Sequence, residues 1–270
     1  MKLALERRDV GAMTVTTEAT RPTLEVNDLV VTYGGARAVD GVSFTCRPGE
    51  IIGIVGPNGA GKSSLLAGIG GQLRASSGTI RLDGADVTRL PPHRRARKGI
   101  TRTFQDTSEF GRLTVFENLV VAGLGEVGGS FLAATLGART QAVRLHGASA
   151  RAAELLERFE LAELRDAYAM ELSGGQRRLV EVMRCLMREP RLLLLDEPTV
   201  GVAQHLSRQL MGEYKRIGAS GVGVLVIEHV LEVVEEVCDR VLVMDRGRVI
   251  ADGTFDEVMR SQAVHEAYFG

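Results

Sequence analysis

Eight residues carry the sharpest chemical pattern in the chain: Gly56-Pro57-Asn58-Gly59-Ala60-Gly61-Lys62-Ser63. They fit a GxxxxGK run closed by Ser or Thr, and they follow the apolar run Ile51–Val55, the strand context that the pattern requires. Glycines let the backbone curl tightly and turn successive N–H groups inward, which makes a nest for phosphate oxygens. A helix starting near Lys62 adds its partly positive N-terminus. Lys62 can then reach β and γ phosphates, and the Ser63 hydroxyl can ligate Mg²⁺. A second cluster is Asp196-Glu197, delivered by Leu192-Leu193-Leu194-Leu195 and followed by Pro198-Thr199. Carboxylates at the carboxyl end of an apolar strand lie where open α/β sheets bind ligands. Asp196 can hold the Mg²⁺ shell, and Glu197 can orient and polarise a water attacking a γ-phosphate. Taken alone, Asp-Glu-Pro after a strand is a capping turn; beside a phosphate loop, the catalytic reading prevails. A third candidate is Ser173-Gly174-Gly175 ahead of a helix, which reads as another anion nest or, in isolation, as a helix cap.

The surrounding elements must position these groups. Leu24–Val26, Leu29–Tyr33, Val42–Thr45 and Thr79–Leu82 are rich in strand formers, with Gly34-Gly35 as a turn. Ile51–Val55, Leu192–Leu195 and Val222–Ile227 are apolar throughout, as central parallel strands covered by helices on both faces must be. Val241–Met244 and Arg248–Ala251 flank Asp245-Arg246-Gly247, a hairpin signal. Between about 106 and 179 the texture turns helical, with Ala152, Leu155, Leu156 and Phe159 at helical spacing. The expected organisation is a tail over 1–22 and one domain over 23–270, with core parts 23–105 and 180–270 around a helical subdomain at about 106–179. The fold class is α/β, a phosphate-loop core with an inserted helical subdomain and a small antiparallel β element.

Composition removes several functional classes. With 270 residues, 44% hydrophobic and 25% charged, the chain resembles an ordinary globular protein that needs no disulfides. Cys46, Cys185 and Cys238 are scattered, which argues against a metal or disulfide framework and fits a reducing cytosol. A formal net charge of −1 argues against a generic nucleic-acid binder, so no nucleic-acid partner is expected. Residues 1–10 lack the apolar core of a secretory signal, and no stretch approaches the ~18 apolar residues of a membrane helix. Any membrane role is therefore expected to come through a partner.

Leu172-Ser173-Gly174-Gly175-Gln176, upstream of LLLLDEP and downstream of GPNGAGKS, resembles the signature of ABC-type ATPases. The likeness covers about residues 24–255 in a fixed order of motifs. It implies that the chain binds ATP and Mg²⁺ and hydrolyses the nucleotide between two cassettes. Ser173 to Gln176 of one cassette would cover the γ-phosphate held by Lys62 of the other, and Ser64 joins the phosphate loop. Tyr33 resembles the aromatic that stacks on adenine, the alternative being a half-buried strand tyrosine. Gln105 resembles the glutamine that touches Mg²⁺ and water and links to the membrane partner, and His229 the switch histidine at the γ-phosphate. Gly201 lies where facing cassettes usually meet. Implied partners are a second cassette, identical or paralogous, membrane permease subunits and, indirectly, a solute-binding protein. The implied location is cytoplasmic, on the inner face of the cell membrane.

Within that family, Gly99–Gln105, Leu113–Leu119, the stretch Gly125–Ser149, Val249–Thr254 and the ending Val264–Gly270 resemble branched-chain (hydrophobic) amino-acid importer cassettes, a subgroup that includes urea and short-amide cassettes. That subgroup often carries an aromatic where Gly174 sits. Two further departures are Ala203, where the family usually has Asp or Asn, and Val230, where Asp is frequent. They predict active hydrolysis that is slower or more partner-dependent than usual. Rival classes are a non-transport clamp ATPase, an envelope-lipid-export ATPase and a nucleotide-sensing subunit with weak hydrolysis. The basic run His93–Lys98 reads as a solvated face, with a lipid-facing patch as the functional alternative.

Overall fold

A computed structural model describes residues 21–103, 111–124 and 138–269. The expected tail, apart from residues 21 and 22, and the candidate Gln105 therefore lie outside the described residues.

Two sheets are stacked around a shared core. The smaller is antiparallel, in the order β2-β1-β4-β5, built from β1 (Leu24–Tyr33), β2 (Ala36–Cys46), β4 (Ala75–Leu82) and β5 (Ala85–Asp86). The larger has the order β10-β9-β3-β8-β7-β6. Its strands are β3 (Ile51–Val55), β6 (Ile100–Arg102), β7 (Leu192–Asp196), β8 (Gly223–Ile227), β9 (Arg240–Asp245) and β10 (Arg248–Gly253). All neighbours in it are parallel except β9 and β10, which form the expected hairpin. Arg246 and Gly247 both have positive φ at its tip, 45° and 81°, the geometry of a two-residue turn whose twist suits the flanking strands.

Three strands of the antiparallel sheet are longer than local composition indicates. Leu24–Val26 and Leu29–Tyr33 form one strand, because β1 shifts register between Val26 and Leu29 and absorbs Asp28 at φ 46°. Pairing with β1 likewise draws polar residues such as Arg37, Asp40 and Ser77 into β2 and β4. Cross-strand hydrogen bonds override weak local propensity there.

The apolar strands are buried on both faces, and their side chains alternate between two cores. Leu192 and Leu194 of β7 face the core between the sheets, with Leu65, Leu66 and Ile69 of helix α1 (Lys62–Gly70). Leu193 and Leu195 face the opposite core, together with the helical block. That block contains α3 (Val115–Leu124), α4 (Ala138–Arg158) and the N-terminal part of α5 (Gly174–Leu186), following α2 (Pro92–Arg97). The stripe Ala152, Leu155, Leu156 and Phe159 is buried there as its spacing indicates. Helix α5 runs unbroken through residue 180, so helical block and core are joined by a rigid element. Arg158 adds a second tie, pairing at 2.6 Å with buried Glu213 on α6 (Gln204–Ala219). The chain closes with α7 (Leu231–Val237), α8 (Phe255–Met259) and α9 (Gln262–Phe269), packed over β9 and β10.

The basic run over 93–98 is not uniformly solvated. His93, Arg94, Arg97 and Lys98 are exposed, but Arg95 is 1% exposed. Its guanidinium donates to the carbonyls of Gly68 and Ile69, at the end of α1, and of Thr88 and Leu90. A cation at a helix C-terminus satisfies orphan carbonyls and the helix dipole together. No helix among the described residues is long and apolar enough to cross a membrane.

Candidate functional site

Strand register assembles the site. Ile54 of β3 pairs with Ile227 of β8, and Ile227 pairs with Asp196 of β7. Three parallel strands thus end side by side, and the loops that follow them converge at one sheet edge.

The loop after β3 wraps back on itself before α1. Gly56 and Gly61 have φ of 146° and 98°, and a Cβ would stand 2.0 Å from the Met244 carbonyl oxygen or 2.1 Å from that of Ala38. Only glycine fits either position. Gly61 also caps α1 without any side chain, so the first-turn N–H groups have no intrahelical acceptor. Lys62 folds over the loop, its Nζ donating to Gly56 O at 2.7 Å and Pro57 O at 3.0 Å. Burial lowers the Lys62 pKa from its ordinary value, while the nearby Glu197 and Asp196 carboxylates oppose that shift. The ammonium is therefore poorly solvated and held among oxygens that phosphate oxygens can replace.

Asp196, only 2% exposed, is held from three sides. Ser63 Oγ donates to Oδ1 at 3.3 Å, and Arg102 Nη2 donates to Oδ2 at 2.8 Å. The Asp196 N–H reaches Thr103 Oγ1 at 3.4 Å. A hydroxyl beside a carboxylate, at the mouth of a phosphate cradle, is the all-oxygen donor set that Mg²⁺ prefers when nucleotide oxygens complete it. No cluster of three or more His, Cys, Asp or Glu suited to a metal exists among the described residues. Ser63 and Asp196 therefore fit Mg²⁺ held jointly with a nucleotide better than a closed protein cage.

Glu197 sits in the left-handed region at φ 50°, a conformation that costs a non-glycine residue about 1–2 kcal/mol. Its backbone N–H donates to Ile227 O at 3.1 Å, and its Oε1 lies 2.7 Å from His229 Nε2. An ionised carboxylate only accepts, so Nε2 carries the proton of that bond. Glu197 Oε2 has no protein hydrogen bond among the described residues and is free to accept from a water. Behind the pair, Thr199 Oγ1 lies 2.8 and 2.7 Å from the two Glu228 oxygens, and burial raises the Glu228 pKa. This tie links the turn after Glu197 to the segment carrying His229.

The signature residues stand apart. No hydrogen bond or ion pair joins Ser173–Gln176 to the phosphate loop among the described residues. Ser173 instead caps α5 in a reciprocal box: Gln176 N–H donates to Ser173 Oγ at 3.3 Å, and Ser173 N–H to Gln176 Oε1 at 2.9 Å. A Cβ on Gly175 would meet Leu206 at 2.6 Å, whereas nothing lies within 4 Å of one on Gly174. The aromatic common at that position in the resembled subgroup has room. Tyr33 is 73% exposed, which removes the half-buried alternative and leaves its ring free to stack. Ala203 and Val230 are the N-cap positions of α6 and α7, and neither offers a side-chain cap. Burial pushes the thiols of Cys46, Cys185 and Cys238 up to about 12, so none is a ready nucleophile.

Sequence reasoning missed Arg102, Thr103 and the Thr199–Glu228 tie. The one available signal was an arginine three residues ahead of Gln105; the partners themselves are 94, 93 and 29 residues distant.

Residues 39–200 match the family model described as ABC transporter, and residues 248–270 match that of the branched-chain amino acid ATP-binding cassette transporter. The high-affinity branched-chain amino acid transport ATP-binding protein BraF of Pseudomonas aeruginosa is 37% identical over 93% of this chain and 98% of its own length. The lipopolysaccharide export system ATP-binding protein LptB of Escherichia coli is 36% identical, over 92% and 97%. A crystal structure of a nucleotide-free ATP-binding cassette from an ABC transporter superposes with TM-score 0.79 at 34% identity, covering 92% of this chain and 99% of that one.

Proposed function

This chain belongs to the ATP-binding cassettes of ABC transporters, transport-coupled ATPases, and from that premise we propose that it powers an importer of branched-chain amino acids or similar small polar or amide solutes. The observation that supports hydrolysis best is the Glu197–His229 pair, 2.7 Å long, beside the Ser63–Asp196 contact at the end of three parallel strands.

The chemistry follows from these groups. N–H groups of the Gly56–Ser63 loop and the Lys62 ammonium hold the β and γ phosphates. Ser63 and Asp196 would hold Mg²⁺, which when bound neutralises charge on the phosphate oxygens. Glu197 Oε2 accepts a proton from the attacking water, while His229 Nε2 fixes the carboxylate through Oε1. Tyr33, exposed at the end of β1, stacks on adenine in this reading. Ser173–Gln176 of a second cassette complete the site, so turnover requires a dimer, and Gln105 links the site to the membrane partner. A groove between core and helical block, lined by Gln72, His93, Thr103, Val121, Glu181 and Arg188, is the docking face for permease subunits on the cytoplasmic side of the membrane. A solute-binding protein acts on the far side, without touching this chain.

The match over residues 248–270 favours amino-acid import. The near-equal identity to LptB favours lipid export as the second reading. The chain co-purified with its native membrane subunits and reconstituted in liposomes separates the two. Import predicts ATP-dependent leucine or amide uptake and solute-stimulated phosphate release; stimulation by lipopolysaccharide alone overturns it.

A further inference from the structure

Both carboxylate oxygens of Asp196 accept a contact within this chain. Oδ1 accepts from Ser63 Oγ, and Oδ2 is in an ion pair with Arg102 Nη2 at 2.8 Å. Arg102 closes the edge strand β6 and is 15% exposed, so the pair is largely desolvated. Among the described residues, the other polar contact of the guanidinium is loose: Nη1 lies 3.4 Å from Gln72 Oε1. A carboxylate this buried needs a counter-charge: Arg102 supplies the hydrogen-bonded one, and the Lys62 ammonium acts on it through space. Each oxygen keeps a second lone pair, so a hard cation can be bound beside these contacts, but a guanidinium fixed on the same carboxylate repels it and offsets the charge that attracts it.

We propose that Arg102 is a built-in counter-ion for Asp196, one that holds Oδ2 before a divalent cation arrives with nucleotide and that competes with that cation for the charge of the carboxylate. The inference rests on reading Asp196 as the cation-binding carboxylate. Arg102 then sets how much Mg²⁺ the cassette needs, and it keeps the site folded in its absence. Gln72, already within reach, offers the guanidinium a second partner on the side of the groove that Arg102 and Gln72 line.

The test is a Mg²⁺ titration of the full chain with a fluorescent ATP analogue, beside thermal unfolding with and without Mg·ATP, for wild type, Arg102→Met and Arg102→Lys. Arg102→Met is expected to reach half-saturation at about tenfold lower Mg²⁺, equivalent to about 1.4 kcal/mol. It should melt below wild type without metal, and the gap should close with Mg·ATP. Arg102→Lys, which keeps a cation but not the planar fork, should fall between and serves alone if Arg102→Met does not fold. A purely structural arginine would lower the melting temperature equally in both conditions and leave the Mg²⁺ requirement unchanged. That result, or a higher requirement in the variants, overturns the proposal. If nucleotide binding by wild type is indifferent to Mg²⁺, the assignment of Ser63 and Asp196 fails first, and the inference falls with it.

Discussion

Two glycine-bearing helix starts, at Gly61 and at Ser173, look alike in sequence and solve the same problem in opposite ways. At α1 the cap is a glycine with no side chain, so the first-turn N–H groups remain available, and a lysine closes over them. At α5 the cap is Ser173, and its box with Gln176 already satisfies two donors within the chain. The first start is built to bind an anion alone. The second is self-satisfied, with Ser173 and Gly174 exposed, as the proposed role of covering a nucleotide held by another cassette requires. The difference is the one expected under the proposal of a site divided between two subunits.

The largest effect expected is on chemistry. Glu197→Gln keeps the shape but removes the proton acceptor, so phosphate release should fall by about 10²–10⁴-fold. ATP should then hold two chains together on size exclusion; unchanged turnover would show that Glu197 does not act on the water. Next comes nucleotide affinity of the isolated chain. Lys62→Ala should weaken it about a hundredfold, since two orders correspond to about 2.7 kcal/mol, within the range of charge-assisted hydrogen bonds. Ser173→Ala should leave it within about twofold while abolishing dimer-dependent hydrolysis. Equal losses in both variants would erase the distinction between the two starts.

Stability sharpens the contrast. Gly61→Ala forces a Cβ to 2.1 Å from the Ala38 carbonyl at φ 98°, and should cost more than about 2 kcal/mol in denaturant unfolding. Gly174→Ala meets nothing within 4 Å and should be neutral or stabilising, by up to about 1 kcal/mol. The smallest effect concerns a third start, α6, whose N-cap Ala203 offers no oxygen. Ala203→Asp should stabilise the chain by about 1 kcal/mol through a new cap. No gain in melting temperature would mean that the neighbouring N–H groups are already satisfied.

Most of the site was legible because its signals are local. The phosphate loop is eight consecutive residues, its glycines are demanded by its own φ angles, and Asp196-Glu197 follows directly on an apolar strand. Strand lengths were less legible: β2 and β4 extend through polar residues because a neighbouring backbone supplies the hydrogen bonds.

The amino-acid order alone determined the fold class and the family motifs, since short-range spacing and two-faced apolar runs encode both. Tertiary structure alone decided that Arg102 neutralises Asp196, that Arg95 is buried beneath α1, that His229 meets Glu197, and that Thr199 meets Glu228. Those partners are between 26 and 94 residues apart in the chain. Their proximity depends on strand order and register, which no local pattern specifies, and on a buried charge taking whichever opposite group or carbonyl the packed fold brings to it.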